Sequence, residues 1–225
     1  MTSDQFYEDF NRLKNHVRPA ADTSSIHPSQ PSPSINLLTQ KWKPPQSHGF
    51  KLNIDAATDL ERKLLGIGAI LRDHTDTVVA ALSKVVQGSF KSDEMEAKAL
   101  FHAVNWVSQS QLPLTHIETD ASRVSSALNR LDFDLSCFSD IIMDIRCLLS
   151  FFPQVLVTHV KRTANQAAHG LAKFALGLDV DSVWIGEIPY PIFSDVVIET
   201  DDCKAITDAL NHHKEDLSIF GDLIL

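Results

Sequence analysis

The chain has 225 residues, three cysteines and a formal net charge of −9. It is long enough for one ordinary domain with extensions, or for two small ones. No apolar run is long enough to span a bilayer, and no apolar core of a secretory signal stands near residue 1. An odd cysteine count without CxxC spacing points away from a disulfide framework and from structural zinc, so cytoplasm or nucleus is the expected compartment. The acidity is unevenly placed: residues 1–47 carry +1, residues 48–177 carry −1 and residues 178–225 carry −9. A nearly neutral centre lacks the basic footprint of a tight nucleic-acid binder, but it is compatible with weak or metal-assisted binding.

In chain order, Phe6, Phe10, Leu13 and Val17 stand at helical spacing, which predicts a short amphipathic helix over residues 1–18. Residues 19–47 are rich in Pro and Ser and read as a linker, closed by Trp42 and the Pro44-Pro45 pair. The segment KLNIDAA, Lys51 to Ala57, alternates as a strand does. Leu52, Ile54 and Ala56 share one face; Lys51, Asn53 and Asp55 share the other. GIGAILRD (66–73) and TVVAALSKVV (77–86) are apolar runs joined by a short polar turn, which predicts a hairpin.

A helix is expected from Ser92 to Val107, with Ser92 as its N-cap and Asp93 and Glu94 at the positive end of its dipole. Glu96 differs from these two, because it heads an apolar stripe with Leu100, Ala103 and Val107. Taken alone, it reads as a carboxylate at the rim of the core. LPLTHIETD, Leu112 to Asp120, suits a strand, and Asp120 taken alone reads as the cap of the helix that follows. A helix with a broad apolar face runs from Ser136 to Phe152 and stops at Pro153. VLVTHV, Val155 to Val160, is a further strand, and Ala164 to Leu176 a last helix. His102 and His116 read as packing or hydrogen-bonding side chains, and His212-His213 as a solvated helix end.

The fragments WKPP, KLNIDAA, GIGAILRD, EMEAKAL, IETDAS and VKRTANQAAHGLA stand in one order, each on the expected element. From about Trp42 to Gly177 the chain resembles the type 1 ribonuclease H domain, most of all the version found in plant retroelement-derived proteins. The resemblance implies an α/β fold over residues 48–177: a five-stranded mixed sheet in order 3-2-1-4-5 with helices packed on it. It also implies that Asp55, Glu96 and Asp120 occupy metal-binding positions, and that two Mg2+ or Mn2+ ions, roughly 4 Å apart, serve hydrolysis of a phosphodiester there. The implied partner is an RNA–DNA hybrid, whose RNA strand is cut, and no membrane. A monomer is expected.

Three departures from the family pattern stand out. The fourth carboxylate, expected on the last helix, is replaced by His169, which can ligate a metal but adds no negative charge. Ala56 and Asp76 stand where the family has glycine. The basic loop of the cellular enzymes is not visible between His159 and Asn165, so Arg162, with Asn165, is the expected nucleic-acid contact. These departures leave a second expectation open, a decayed module that binds nucleic acid or protein without cutting.

The C-terminal piece repeats an earlier one. IETDASRVSSALN from Ile117 parallels IETDDCKAITDALN from Ile198, and LSCFSDII from Leu135 parallels LSIFGDLI from Leu217. Residues 178–193 then read as a linker. Residues 194–225 read as a partial copy of the fourth-strand region, with a strand over Val196 to Glu199 that could pair with an exposed sheet edge.

Overall fold

The computed structural model describes residues 41–199, apart from residues 47, 111 and 131–135. The proposed N-terminal helix and the repeat beyond Glu199 lie outside the described residues. So does the His212-His213 pair.

Strands β1 (Phe50–Asp59), β2 (Leu64–Arg72) and β3 (Val78–Gln87) form an antiparallel meander. The β2–β3 turn is organised by Asp73, whose Oδ1 accepts the backbone N–H of Thr75 at 2.8 Å and of Thr77 at 3.0 Å. Asp76 takes the left-handed conformation, φ 64°, which a short polar side chain tolerates better than most. That explains how this chain manages without the glycine usual at this turn.

Helix α1 (Ser92–Ser108) crosses to β4 (Leu114–Thr119), which pairs with β1 in parallel. Ser92 is the first helical residue rather than the cap. Lys91 holds the cap position, and its N–H donates to the Glu94 carboxylate at 3.3 Å. Helix α2 (Ser122–Leu128) has Ala121 at its cap and no side-chain cap bond, so Asp120 does not cap it. Helix α3 (Cys137–Leu149) is capped by Ser136, whose hydroxyl accepts from the Ser139 N–H at 3.2 Å. β5 (Leu156–His159) pairs in parallel with β4, and a single 3-10 turn (Arg162–Ala164) leads into α4 (Gln166–Ala175).

The sheet order is β5-β4-β1-β2-β3-β6. This is the expected five-strand order with one strand added. The added strand, β6 (Ser182–Ile185), lies inside the segment read as a linker and pairs antiparallel with β3. The free β3 edge is thus taken by residues 182–185, not by 196–199. Residues 193–199 form helix α5 (Phe193–Glu199) instead of containing a strand. The reason is packing: Ile192 and Val196, one helical turn apart, are both buried against Ile70, Val78, Ala167, Ala168 and Leu171. Tertiary burial overrides β-branched propensity in a segment this short.

The two faces of the sheet differ in character. Leu52, Ile54, Leu65, Ile67, Ala69, Leu71, Ala80 and Leu82 pack with α1, α2 and α3 in the main core. The opposite face of β1 carries Lys51, Asn53 and Asp55, all buried under the side on which α4 lies. Gly68 is required there. A Cβ on it would stand 2.1 Å from the Ala168 carbonyl oxygen, so the absence of a side chain lets α4 lie directly on the strand. Among the described residues no helix is long and apolar enough to cross a membrane.

Candidate metal centre

The β1–β4 ladder ends at the pair Ile54↔Thr119. Asp55 is the next residue of β1 and Asp120 the first residue past β4, so two parallel neighbours deliver two carboxylates to one place. Helix α1 adds Glu96 from its second turn. Ligand oxygens of Asp55, Glu96 and Asp120 all lie within 4.8 Å of one another. Three sequence-predicted carboxylates, from positions far apart in the chain, are therefore brought together.

Asp55 is buried and the other two are half-buried. Burial first, and then the charges of Asp120 and Glu96, push the Asp55 carboxyl up to about 8. Burial and the charge of Asp120 push Glu96 up to about 7, against a smaller opposing pull from Arg162. These are the directions expected of a carboxylate cluster without its counter-cations.

His169 enters the same site from α4. Its Nδ1 lies 2.6 Å from Asp55 Oδ2, and its side chain is only 14 % exposed. Burial, then Arg162 and Lys173, push the imidazole down to about 4, so the ring is neutral at pH 7. Arg162 Nη2 lies 2.7 Å from His169 Nδ1 and 3.8 Å from Asp55 Oδ2, while the guanidinium stays more than half exposed. It is a cation at the mouth of the site, open to solvent on one side.

Asn165 does not stand where a nucleic-acid contact should. It is fully buried; its Nδ2 donates to the Ile54 carbonyl at 3.0 Å and its Oδ1 accepts from Asn53 at 3.2 Å. No nucleic acid can reach it, so the expected contact role is withdrawn. The periodicity of α4 held the signal: Asn165 precedes Ala168 and Leu171 on the buried side. His116 and His102 have local partners. His116 Nδ1 lies 2.9 Å from Thr115 Oγ1, and the half-buried His102 meets Phe101 edge-on.

A set of hard oxygen donors at this spacing suits a divalent cation such as Mg2+ or Mn2+. The convergence of the three carboxylates is the observation that fits this best, because a bound cation would offset the burial and mutual repulsion that raise Asp55 and Glu96.

Residues 53–175, more than half of the chain, match the family described as reverse transcriptase-like. The chain belongs to the reverse transcriptase-like family. Among solved structures the similarity is to ribonuclease H domains. A ribonuclease H1 from the halophilic archaeon Halobacterium salinarum is 22% identical, with a TM-score of 0.52, over 57% of this chain and 97% of that one. The N-terminal RNase H domain of a Mycobacterium tuberculosis protein is 17% identical, TM-score 0.51, over 58% of this chain and 95% of the other. A ribonuclease H1 isolated from compost, solved with an RNA/DNA hybrid, is 14% identical, TM-score 0.51, over 57% of this chain and 96% of that one. At these identities the likeness establishes the fold: this family member has a ribonuclease H-like fold. No curated protein matches the chain in sequence.

Proposed function

We propose that this ribonuclease H-like protein binds nucleic acid and hydrolyses the RNA strand of RNA–DNA hybrids with the help of divalent cations. The observation that carries the reading is the convergence of Asp55, Glu96 and Asp120 within 4.8 Å. The three carboxylates would hold Mg2+ or Mn2+, with His169 as an altered fourth position. Bound cations would supply an activated water and charge stabilisation for a leaving oxygen.

The protein's own groups have separable roles. Asp55, Glu96 and Asp120 provide the negative charge that recruits cations. Arg162, exposed beside Asp55, would donate to a phosphate oxygen and orient the strand. The 2′-hydroxyls of the RNA strand distinguish the hybrid from duplex DNA.

A second reading has its own support. In the cation-free site His169 Nδ1 is spent on Asp55 and the Arg162 guanidinium stands beside it. The guanidinium partially neutralises the cluster and the uncharged imidazole occupies an oxygen of Asp55, as a module that binds without cutting would allow. One assay separates the two readings: a labelled RNA–DNA hybrid with Mg2+ or Mn2+, beside Asp55→Asn. Cleavage by the wild type that is lost in Asp55→Asn is the expected result. Retention of the hybrid with no cleavage supports the second reading, and equal cleavage by both proteins overturns the catalytic one.

A further inference from the structure

Fragments noted in the sequence for their family resemblance meet in one buried polar network behind the metal centre. Asn53 sits in its middle with all four hydrogen-bonding positions used. Its Oδ1 accepts from Trp42 Nε1 at 2.7 Å and from Arg72 Nη2 at 3.1 Å. Its Nδ2 donates to Glu118 Oε2 at 3.0 Å and to Asn165 Oδ1 at 3.2 Å. Around it, Lys51 Nζ donates to Glu118 Oε1 at 2.6 Å and to the Lys43 carbonyl at 2.7 Å. The Arg72 guanidinium stacks 3.7 Å from the centre of the Trp42 ring. Trp42, Asn53, Arg72, Glu118 and Asn165 are all buried.

Among the described residues, the network reaches the metal centre through Asn165. The Asn165 side-chain Nδ2 donates to the Ile54 carbonyl at 3.0 Å, and the Asn165 backbone carbonyl accepts the His169 N–H at 3.0 Å. His169 Nδ1 returns to Asp55, the residue after Ile54, at 2.6 Å. These three contacts and the Ile54–Asp55 peptide close a ring between β1 and the first turn of α4. An amide whose donors and acceptors are all engaged has one orientation, so Asn53 fixes Asn165 and Asn165 fixes the place of His169.

We infer that Asn53 and Asn165 are positioning residues that hold the first turn of α4 against β1, so that His169 meets Asp55 in the metal centre. The consequence for metal binding rests on the proposed function; the positioning itself does not. An ordinary structural role would stabilise the fold without favouring this one contact. Ser83 offers the comparison: its hydroxyl donates to the Leu171 carbonyl of α4 at 2.9 Å and takes no part in the ring.

The test substitutes Asn165→Asp, which keeps shape and acceptor but removes the donor to Ile54. Long-range proton–nitrogen NMR of the full, cation-free chain reads the His169 imidazole directly. The expected result is that the His169 Nδ1 signal moves towards that of a solvent-exposed imidazole in Asn165→Asp and stays in place in Ser83→Ala, at comparable loss of thermal stability. Trp42→Phe removes one donor at the far end of the network and is expected to move the same signal in the same direction by less. It serves as the test if Asn165→Asp does not fold. A His169 signal unmoved in the folded variants, or moved as much by Ser83→Ala, overturns the inference. Calorimetry with Mn2+ adds a second readout, an expected loss of about tenfold in affinity for Asn165→Asp. If the wild type binds no Mn2+, the metal reading fails, and the His169 signal alone still decides the positioning role.

Discussion

At the scale of single residues, the metal centre is a case of opposed titrations. The ordinary values of 3.8 for Asp55 and 4.5 for Glu96 rise to about 8 and about 7 in the fold. Between those limits the folded chain holds more protons than the unfolded one, so stability falls as pH rises. His169 works the other way, because its value drops from 6.5 to about 4; it costs stability as pH falls through that range. At pH 6.5 the unfolded imidazole is already half neutral, so above it the carboxylates outweigh His169. The melting temperature of the cation-free protein should therefore fall between pH 6.5 and 8, and Asp55→Asn should flatten that fall. A melting temperature flat or rising over the window would contradict the placement of these charges.

His169 also sets a prediction about the cation. Replacing it by Asp adds a fourth hard donor and one negative charge. It also removes the neutral partner now beside Asp55. His169→Asp should lower cation-free stability and raise Mg2+ affinity several-fold, both readable by thermal melts with and without Mg2+. Unchanged affinity would show that the fourth position does not limit the site.

At the scale of elements, α4 is the part whose placement matters most. It lies close to β2 because Gly66 and Gly68 present no side chains; a Cβ at Gly66 would stand 2.2 Å from the Ala172 carbonyl oxygen. Gly68→Ala forces helix and sheet apart and should cost about 1–3 kcal/mol, measured by urea unfolding, as overpacking does. It should also weaken cation binding, because α4 carries His169. The sequence predicted α4 from its apolar stripe, and its bounds agree closely with the structure. It also placed Lys51, Asn53 and Asp55 on one strand face. What it left open was how the first two are used: alternation identifies a face but not what covers it. Ser182 to Ile185 was too short a run to stand out as a strand, and only the free β3 edge makes it one.

At the scale of the whole molecule, residues 178–199 complete the body. β6 covers the β3 edge, and Ile192 and Val196 close the apolar patch between α4 and the sheet. Removing residues 178–225 should expose both, lowering the melting temperature and the solubility of the remaining chain. Unchanged solubility and thermal stability would show that this piece adds nothing to the body. At the other end, Trp42 belongs to the body rather than to the linker in which its Pro-rich surroundings placed it, because its ring is buried over Arg72.

The sequence by itself determined the element order, the five-strand core topology and the identity of the three carboxylates. The element order is written in local periodicity; the five-strand topology and the three carboxylates followed only from the family resemblance that the ordered fragments carry. Tertiary structure alone decided that residues 182–185 extend the sheet and that residues 193–199 are helical. It also decided that His169 and Arg162 share the Asp55 carboxylate. Each of these outcomes depends on what a distant segment places against the residue, and no local pattern encodes that contact.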